Sequence, residues 1–187
     1  MIDSMTARSP PLLGFAAWSG AGKTTLLRQL LPILRGSGLR VALIKHAHHD
    51  FDIDQPGKDS YELRRAGADQ VLVASNRRLA LMVENPEGQE AEPVLHELIV
   101  RLDPGRTDLI LVEGFKHEAI PKVEVYRPAL GRPLMCTDDP HIIAVATDSP
   151  ESVPHGIPAL PLNDIRAIAT FIGEQFHFHG PNANPQP

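Results

Sequence analysis

The sequence predicts an α/β fold with a mainly parallel sheet flanked by helices in three layers. Short, continuously apolar runs at residues 12–17, 41–45, 109–112 and 142–146 have the pattern of strands buried on both faces. Segments with helical spacing lie between them, so strands and helices alternate along the chain. The chain has 187 residues, 42% of them hydrophobic and 22% charged, enough for one domain with a full core.

Leu12–Ala17 is the first strand, and a glycine-rich turn follows it. Residues 24–34 carry apolar side chains at 26, 27, 30, 31, 33 and 34, which is helical spacing. Pro32 removes one intrahelical hydrogen bond and predicts a kink or an early end, with Gly36 and Gly38 closing the helix. Val41–Lys45 then completes a βαβ unit, which crosses over right-handed. Asp59 is placed to cap a helix over 60–65, stopped by Gly67. Gln70–Ala74 and Leu79–Val83 read as a hairpin turning at 75–78.

Residues 94–102 form a helix stopped by Pro104 and Gly105. The apolar run 109–112 is a buried strand, whereas Lys122–Tyr126 alternates and predicts an edge strand. A further buried strand covers 142–146 and a short last one 159–162. Asn163 then caps a helix running to about Phe176. The organisation expected is a flexible N-terminus over 1–10, a single domain over 11–177 and a disordered tail over 178–187.

The net charge of −5 argues against nucleic acid as the main partner, because phosphate backbones call for a basic face. Cys136 is the single cysteine and forms no internal disulfide, which favours a reduced, cytoplasmic setting. Met1 to Pro10 lacks the features of a signal peptide, and the run 12–18 is too short to span a bilayer, so no membrane association is expected.

The turn after the first strand reads Ala17-Trp18-Ser19-Gly20-Ala21-Gly22-Lys23-Thr24. It matches the phosphate-binding pattern G-x-x-x-x-G-K-[ST] except that Ala17 replaces the first glycine. Alanine fits there if its φ stays negative. Gly20 and Gly22 let the backbone curl so that the amides of Ser19, Gly20, Ala21, Gly22, Lys23, Thr24 and Thr25 surround an anion at a helix start. Lys23 would reach the β- and γ-phosphates, and the Thr24 hydroxyl would coordinate magnesium (Mg2+). The expectation is a three-layer P-loop NTPase fold.

Such a site needs an acid at the end of a neighbouring strand. Asp108 and Glu113 flank the strand at 109–112. Ligands sit at the carboxyl ends of parallel strands, which selects Glu113. Asp108 would lie roughly 16 Å away, as a solvated strand start. Gly114 would leave room for a ligand. Lys23 and Glu113 are therefore the catalytic candidates, and Thr24 and Glu113 the metal ligands.

The loop after the second strand, residues 45–60, emerges at the same edge. It reads either as a switch loop ordering around magnesium and phosphate or as a transition-metal site built on His46, His48 and His49. Lys58 and Asp59 are its candidates for nucleotide contact, although Asp59 also reads simply as a helix cap. Asp148, after the strand at 142–147, is placed to accept hydrogen bonds from guanine N1 and N2, although the full Asn-Lys-x-Asp signature is absent. Arg64 and Arg65 read as solvated, and Arg77 and Arg78 as a surface turn.

Four segments together resemble one family: Ala-Ala-Trp-Ser-Gly-Ala-Gly-Lys-Thr-Thr-Leu-Leu (16–27), Ile-Lys-His-Ala-His-His-Asp-Phe-Asp-Ile-Asp (44–54), Pro-Gly-Lys-Asp-Ser-Tyr-Glu-Leu-Arg-Arg-Ala-Gly-Ala (56–68) and Asp-Leu-Ile-Leu-Val-Glu-Gly-Phe-Lys (108–116). The chain resembles the molybdopterin-guanine dinucleotide biosynthesis adaptor (MobB) family over about residues 12–175. The resemblance implies a GTP-binding protein with weak GTPase activity, a homodimer that assists the guanylyltransferase joining GMP to molybdopterin. It implies a phosphate loop over 19–25, Glu113 on the magnesium side and a switch or substrate-facing element over 56–60.

Two other readings stay open. A small-molecule kinase or ligase would want a basic lid, for which Arg127 and Arg132 are candidates. A metal-insertion GTPase would use the three histidines. No glutamine or arginine finger in cis stands out, so slow turnover is expected.

Overall fold

The computed structural model describes residues 9–47, 51–85 and 92–178. Most of the two termini expected to be flexible, and His48 and His49, lie outside the described residues. The chain divides into two compact units, Met1–His46 with Val94–Pro187, and Ala47–Pro93, where the sequence reading drew one domain over 11–177.

The described strands are β1 (Leu12–Ala17), β2 (Val41–Lys45), β3 (Gln70–Ala74), β4 (Leu79–Val83), β5 (Leu109–Glu113), β6 (Lys122–Tyr126), β7 (Ile142–Thr147) and β8 (Ala159–Pro161). The α-helices are α1 (Lys23–Gly36), α2 (Asp59–Arg65), α3 (Leu95–Ile99) and α4 (Ile165–Gln175). Six strands form a parallel sheet in the order β2-β5-β1-β6-β7-β8. β3 and β4 form a separate antiparallel hairpin in the smaller unit, as the sequence predicts.

Helices α1 and α4 cover one face of the sheet. Leu26, Leu27, Leu30 and Leu34 pack with Ile168 and Ile172 against Leu13, Leu111, Val123 and Ala144. On the other face Leu95 of α3 joins Ile44, Ile110 and Val112. The early end expected at Pro32 does not occur, and α1 continues to Gly36. The proline costs about 3 kcal/mol in a helix interior. Each buried leucine contributes about 1.5–3 kcal/mol, and Leu34, beyond the proline, is one of four on this helix.

Two helix starts differ from expectation by a residue. Lys58 occupies the N-cap position of α2 with no side-chain cap bond. Asp59 is thus a first-turn acid that favours the helix dipole, not the cap. At α4 the cap is Asp164 instead of Asn163, its side chain accepting from the Ala167 N–H at 3.0 Å.

β6 is an interior strand, hydrogen-bonded to β1 and β7, and not the edge strand that its alternation predicts. Its polar side chains face other protein groups instead of water. Lys122 is 2% exposed and pairs with Asp139 at 2.9 Å. Glu124, fully buried, accepts from the amides of Met135 at 2.8 Å and Cys136 at 2.9 Å. Burial pushes the Glu124 carboxyl above its ordinary pKa, and the two amides oppose that shift. Buried charge is tolerated here because each group is partnered.

Gly14 of β1 lies in register with Lys122, and a Cβ at Gly14 would come within 2.6 Å of Lys122 Cγ. Gly14→Ala should therefore lower stability by about 1–3 kcal/mol, through overpacking against a side chain with nowhere to move. Urea unfolding would show a lower midpoint at unchanged slope. An unaltered midpoint would contradict the close packing.

Candidate functional site

β1 ends at Ala17 and α1 begins at Lys23, so residues 18–22 make the turn between them. Gly20 and Gly22 adopt φ of +85° and +94°, a region that costs other residues roughly 1–2 kcal/mol. Ala17 needs no such freedom, because His177 alone has positive φ among the described non-glycine residues. The Ala21 N–H donates to the Trp18 carbonyl at 3.2 Å, closing a turn within the loop. The first helical bond runs from the Leu26 N–H to the Gly22 carbonyl at 2.9 Å. The amides of residues 23–25 therefore open α1 without intrahelical acceptors. No acid of α1 itself occupies that first turn, so its positive dipole end is open to an acid from a neighbouring strand or to a bound anion.

Glu113 closes β5 beside this helix start and is 8% exposed. Register pairs it with Phe15 of β1, two residues before the end of that strand. Its Oε1 lies 3.8 Å from Lys23 Nζ and accepts from Thr24 Oγ1 at 3.5 Å. Burial lowers the Lys23 pKa from its ordinary value, Glu113 raises it and Lys45 lowers it further. Lys45 ends β2 in register with Glu113. Lys45 is a neighbour of the site that the loop motif does not name; its position at the end of a strand was the available signal.

The two acids flanking β5 have separate surroundings. Asp108 accepts from the Arg40 amide at 2.7 Å and from its guanidinium at 2.6 and 2.9 Å. Arg40 holds the Asp108 carboxyl below its ordinary pKa. Asp108 is thus an ion-paired strand start instead of a solvated one. Gly114 has φ +100°, and a Cβ there would meet His46 Cβ at 2.8 Å and the His46 carbonyl at 3.2 Å. The space it leaves is occupied by His46, not by a ligand. His46 also donates its amide to the Glu113 carbonyl at 2.8 Å and stacks on Phe115 with ring centroids 5.2 Å apart.

Asp148 follows β7 at the same edge of the sheet. Its Oδ2 accepts from Arg127 Nη1 at 2.6 Å, and Arg127 Nε donates to the Ala21 carbonyl at 3.2 Å. Trp18 Nε1 donates to the Pro133 carbonyl at 2.8 Å, and Arg132 lies over the indole at 5.3 Å. The segment 127–133 thus straps the outside of the phosphate loop. Asp59 and Lys58 belong to the smaller unit and are not among the residues gathered here. In that unit Ser60 donates to Asp54 at 3.0 Å, and Arg64, expected to be solvated, pairs with Asp52 and Glu84.

Among the described residues no group of three His, Cys, Asp or Glu side chains could hold a metal ion. The histidine-based metal reading depends on His48 and His49, outside the described residues. The Thr24 hydroxyl and Glu113 carboxylate share a spot beside the helix start. They are hard oxygen donors, which suit magnesium, an ion that keeps most of its waters.

The parallel sheet, the glycine-bracketed turn into a helix and the acid on the adjoining strand define a P-loop NTPase fold. Comparison with known proteins narrows this class. The family model described as Molybdopterin guanine dinucleotide synthesis protein B (MobB) matches residues 12–148, and the chain belongs to that family. It is 53% identical over 165 residues to the molybdopterin-guanine dinucleotide biosynthesis adapter protein of Escherichia coli (strain K12), covering 88% of this chain and 92% of that one. The Haemophilus influenzae protein of the same name is 44% identical, with 91% and 92% covered. A crystal structure of molybdopterin-guanine biosynthesis protein B superposes with TM-score 0.68 at 27% identity, covering 89% of this chain and 99% of that one. Bacillus subtilis MobB does so with TM-score 0.63 at 25% identity, covering 88% and 97%.

The lowered Lys23 pKa generates a pH prediction. A lysine whose pKa is lowered loses its proton earlier as pH rises, and the ammonium is the form that attracts phosphate. Triphosphate affinity should therefore decline with rising pH below the range of an ordinary lysine. Lys23→Arg, which stays charged, should flatten that decline. Calorimetric titration between about pH 7 and 10 would check this, and superimposable profiles would refute it.

Proposed function

We propose that the protein binds GTP with magnesium, hydrolyses it slowly, and acts as an adaptor for the guanylyltransferase that joins GMP to molybdopterin. The names of its E. coli and H. influenzae relatives support the pathway. The observation that carries the nucleotide reading is the convergence of Lys23, Thr24 and Glu113 on the free amides that open α1.

In this reading Lys23 lies against the β- and γ-phosphates, and residues 19–25 line the phosphate chain. Thr24 and Glu113 hold magnesium, directly or through its waters. Bound magnesium supplies charge neutralisation on the phosphates. Glu113 also orients water at the γ-phosphate, and Asp148 faces the guanine edge. Asp59, a first-turn acid of α2 in the smaller unit, is read as part of a switch element. Slow turnover is part of this reading, because no arginine finger in cis stands out in the sequence and a partner protein commonly supplies that group. The setting proposed is cytoplasmic, without membrane or nucleic-acid partners.

Titrations of GTP and ATP, each with and without magnesium, test the reading. GTP should bind more tightly than ATP and depend on magnesium. Lys23→Ala should weaken GTP by at least about tenfold, the scale of one lost charged hydrogen bond, while leaving the thermal midpoint near that of the parent. Undiminished affinity in that variant would remove the assigned role.

The homodimer is also part of this proposal. Leu72, Leu79, Leu81 and Val83 lie on one face of the β3–β4 hairpin and are 60%, 66%, 48% and 39% exposed. A two-stranded ribbon with an apolar outer face is poorly stable alone and favours a partner. A second copy of this chain is the occupant proposed. Light scattering should report a dimer for the parent, and a monomer or a weakened dimer for Leu72→Glu combined with Leu81→Glu. A monomeric parent at micromolar concentration would reject this interface.

A further inference from the structure

We propose that Arg127 is a specificity-positioning residue that couples recognition of the base at Asp148 to the shape of the phosphate loop. The inference rests on the GTP reading above and deepens it. Register places Tyr126 of β6 level with Thr147 of β7, so Arg127 and Asp148 leave the sheet side by side. β6 also adjoins β1, the strand that feeds the loop. Arg127 thus stands between the base-side carboxylate and the phosphate-side backbone, and its guanidinium binds both.

On the phosphate side, Arg127 Nε donates to the Ala21 carbonyl. That carbonyl and the Gly22 N–H belong to one planar trans peptide and point in opposite directions. Holding the carbonyl toward Arg127 turns the Gly22 N–H to the other side of the loop. Gly22 lacks a side chain that would restrict this peptide, and its φ of +94° is easily changed to other values in glycine. An external tether is therefore what fixes the amide.

On the base side, Arg127 Nη1 occupies one acceptor position of Asp148 Oδ2. An ionised carboxylate has about four such positions. The remainder are enough for the N1–H and 2-amino group of guanine. Adenine offers a lone pair at N1 and no 2-amino group, so an oriented carboxylate repels it. With Arg127 gone, the carboxylate would rotate freely and lose much of that discrimination. A lysine would not substitute, because one ammonium lacks the planar fork that grips two acceptors in fixed directions.

The test is calorimetric titration of the full chain with GTP, ATP and inorganic tripolyphosphate, all with magnesium. The variants are Arg127→Ala, Arg127→Lys, Asp148→Ala and the double variant Arg127→Ala with Asp148→Ala. The parent should prefer GTP over ATP. Arg127→Ala should cut that preference by about tenfold, the scale of a charged hydrogen bond, and weaken tripolyphosphate as well. Asp148→Ala should cut the preference similarly, and the double variant should lose no more than either alone. Arg127→Lys keeps the charge and guards against a folding defect; it should also lose preference. A GTP-to-ATP ratio preserved in both Arg127 variants, or losses that multiply in the double variant, would overturn the proposal. A parent binding GTP and ATP equally would instead defeat the guanine reading itself, and the base-side half of this proposal with it.

Discussion

The site depends on one register. Glu113 pairs with Phe15 across β5 and β1, and that pairing brings a buried carboxylate to the lysine and threonine that open α1. A slip of one residue would turn Glu113 to the other face of the sheet, away from Lys23. The register is secured from several directions. Leu111 and Leu13 enter the core under α1, Ile110 and Val112 enter the core on the opposite face, and Arg40 locks the start of β5 through Asp108. The polar residues at the strand end are thus positioned by apolar and ionic contacts elsewhere along the same strand.

A second set of constraints comes from the far side of β1. β6 carries charged side chains into the interior, where Lys122 and Glu124 hold the segment 135–139 by an ion pair and two hydrogen bonds from backbone amides. That segment continues from the strap over the phosphate loop, so the two buried charges and the strap belong to one connected piece of chain. Replacing the polar pair with apolar residues would fill the space but leave the strap without its anchor.

Much of this was readable in the sequence. The glycine spacing around Lys23 and the apolar runs on either side gave the turn, the helix and the parallel strands. The choice of Glu113 over Asp108 followed from strand direction alone. The failures have physical causes. Alternation in β6 reports a change of surroundings at each residue, and the sequence does not say whether those surroundings are water or paired protein charge. Pro32 is outweighed by leucines whose burial depends on contacts made far along the chain. The bonds of Arg127 to Asp148 and Ala21 join positions remote in sequence, and no local pattern encodes them. Caps at Asp59 and Asn163 were off by one because Asp, Asn and Lys neighbours compete for the same turn, a usual uncertainty at helix ends.

Trp18 is the only tryptophan in the chain, and it sits in the phosphate loop with its indole bonded to Pro133 and covered by Arg132. The molecule therefore carries one built-in optical probe, located where the loop and its strap meet. Its emission reports on that junction without interference from other indoles, so the loop's response to a ligand can be followed by light alone, with no label attached.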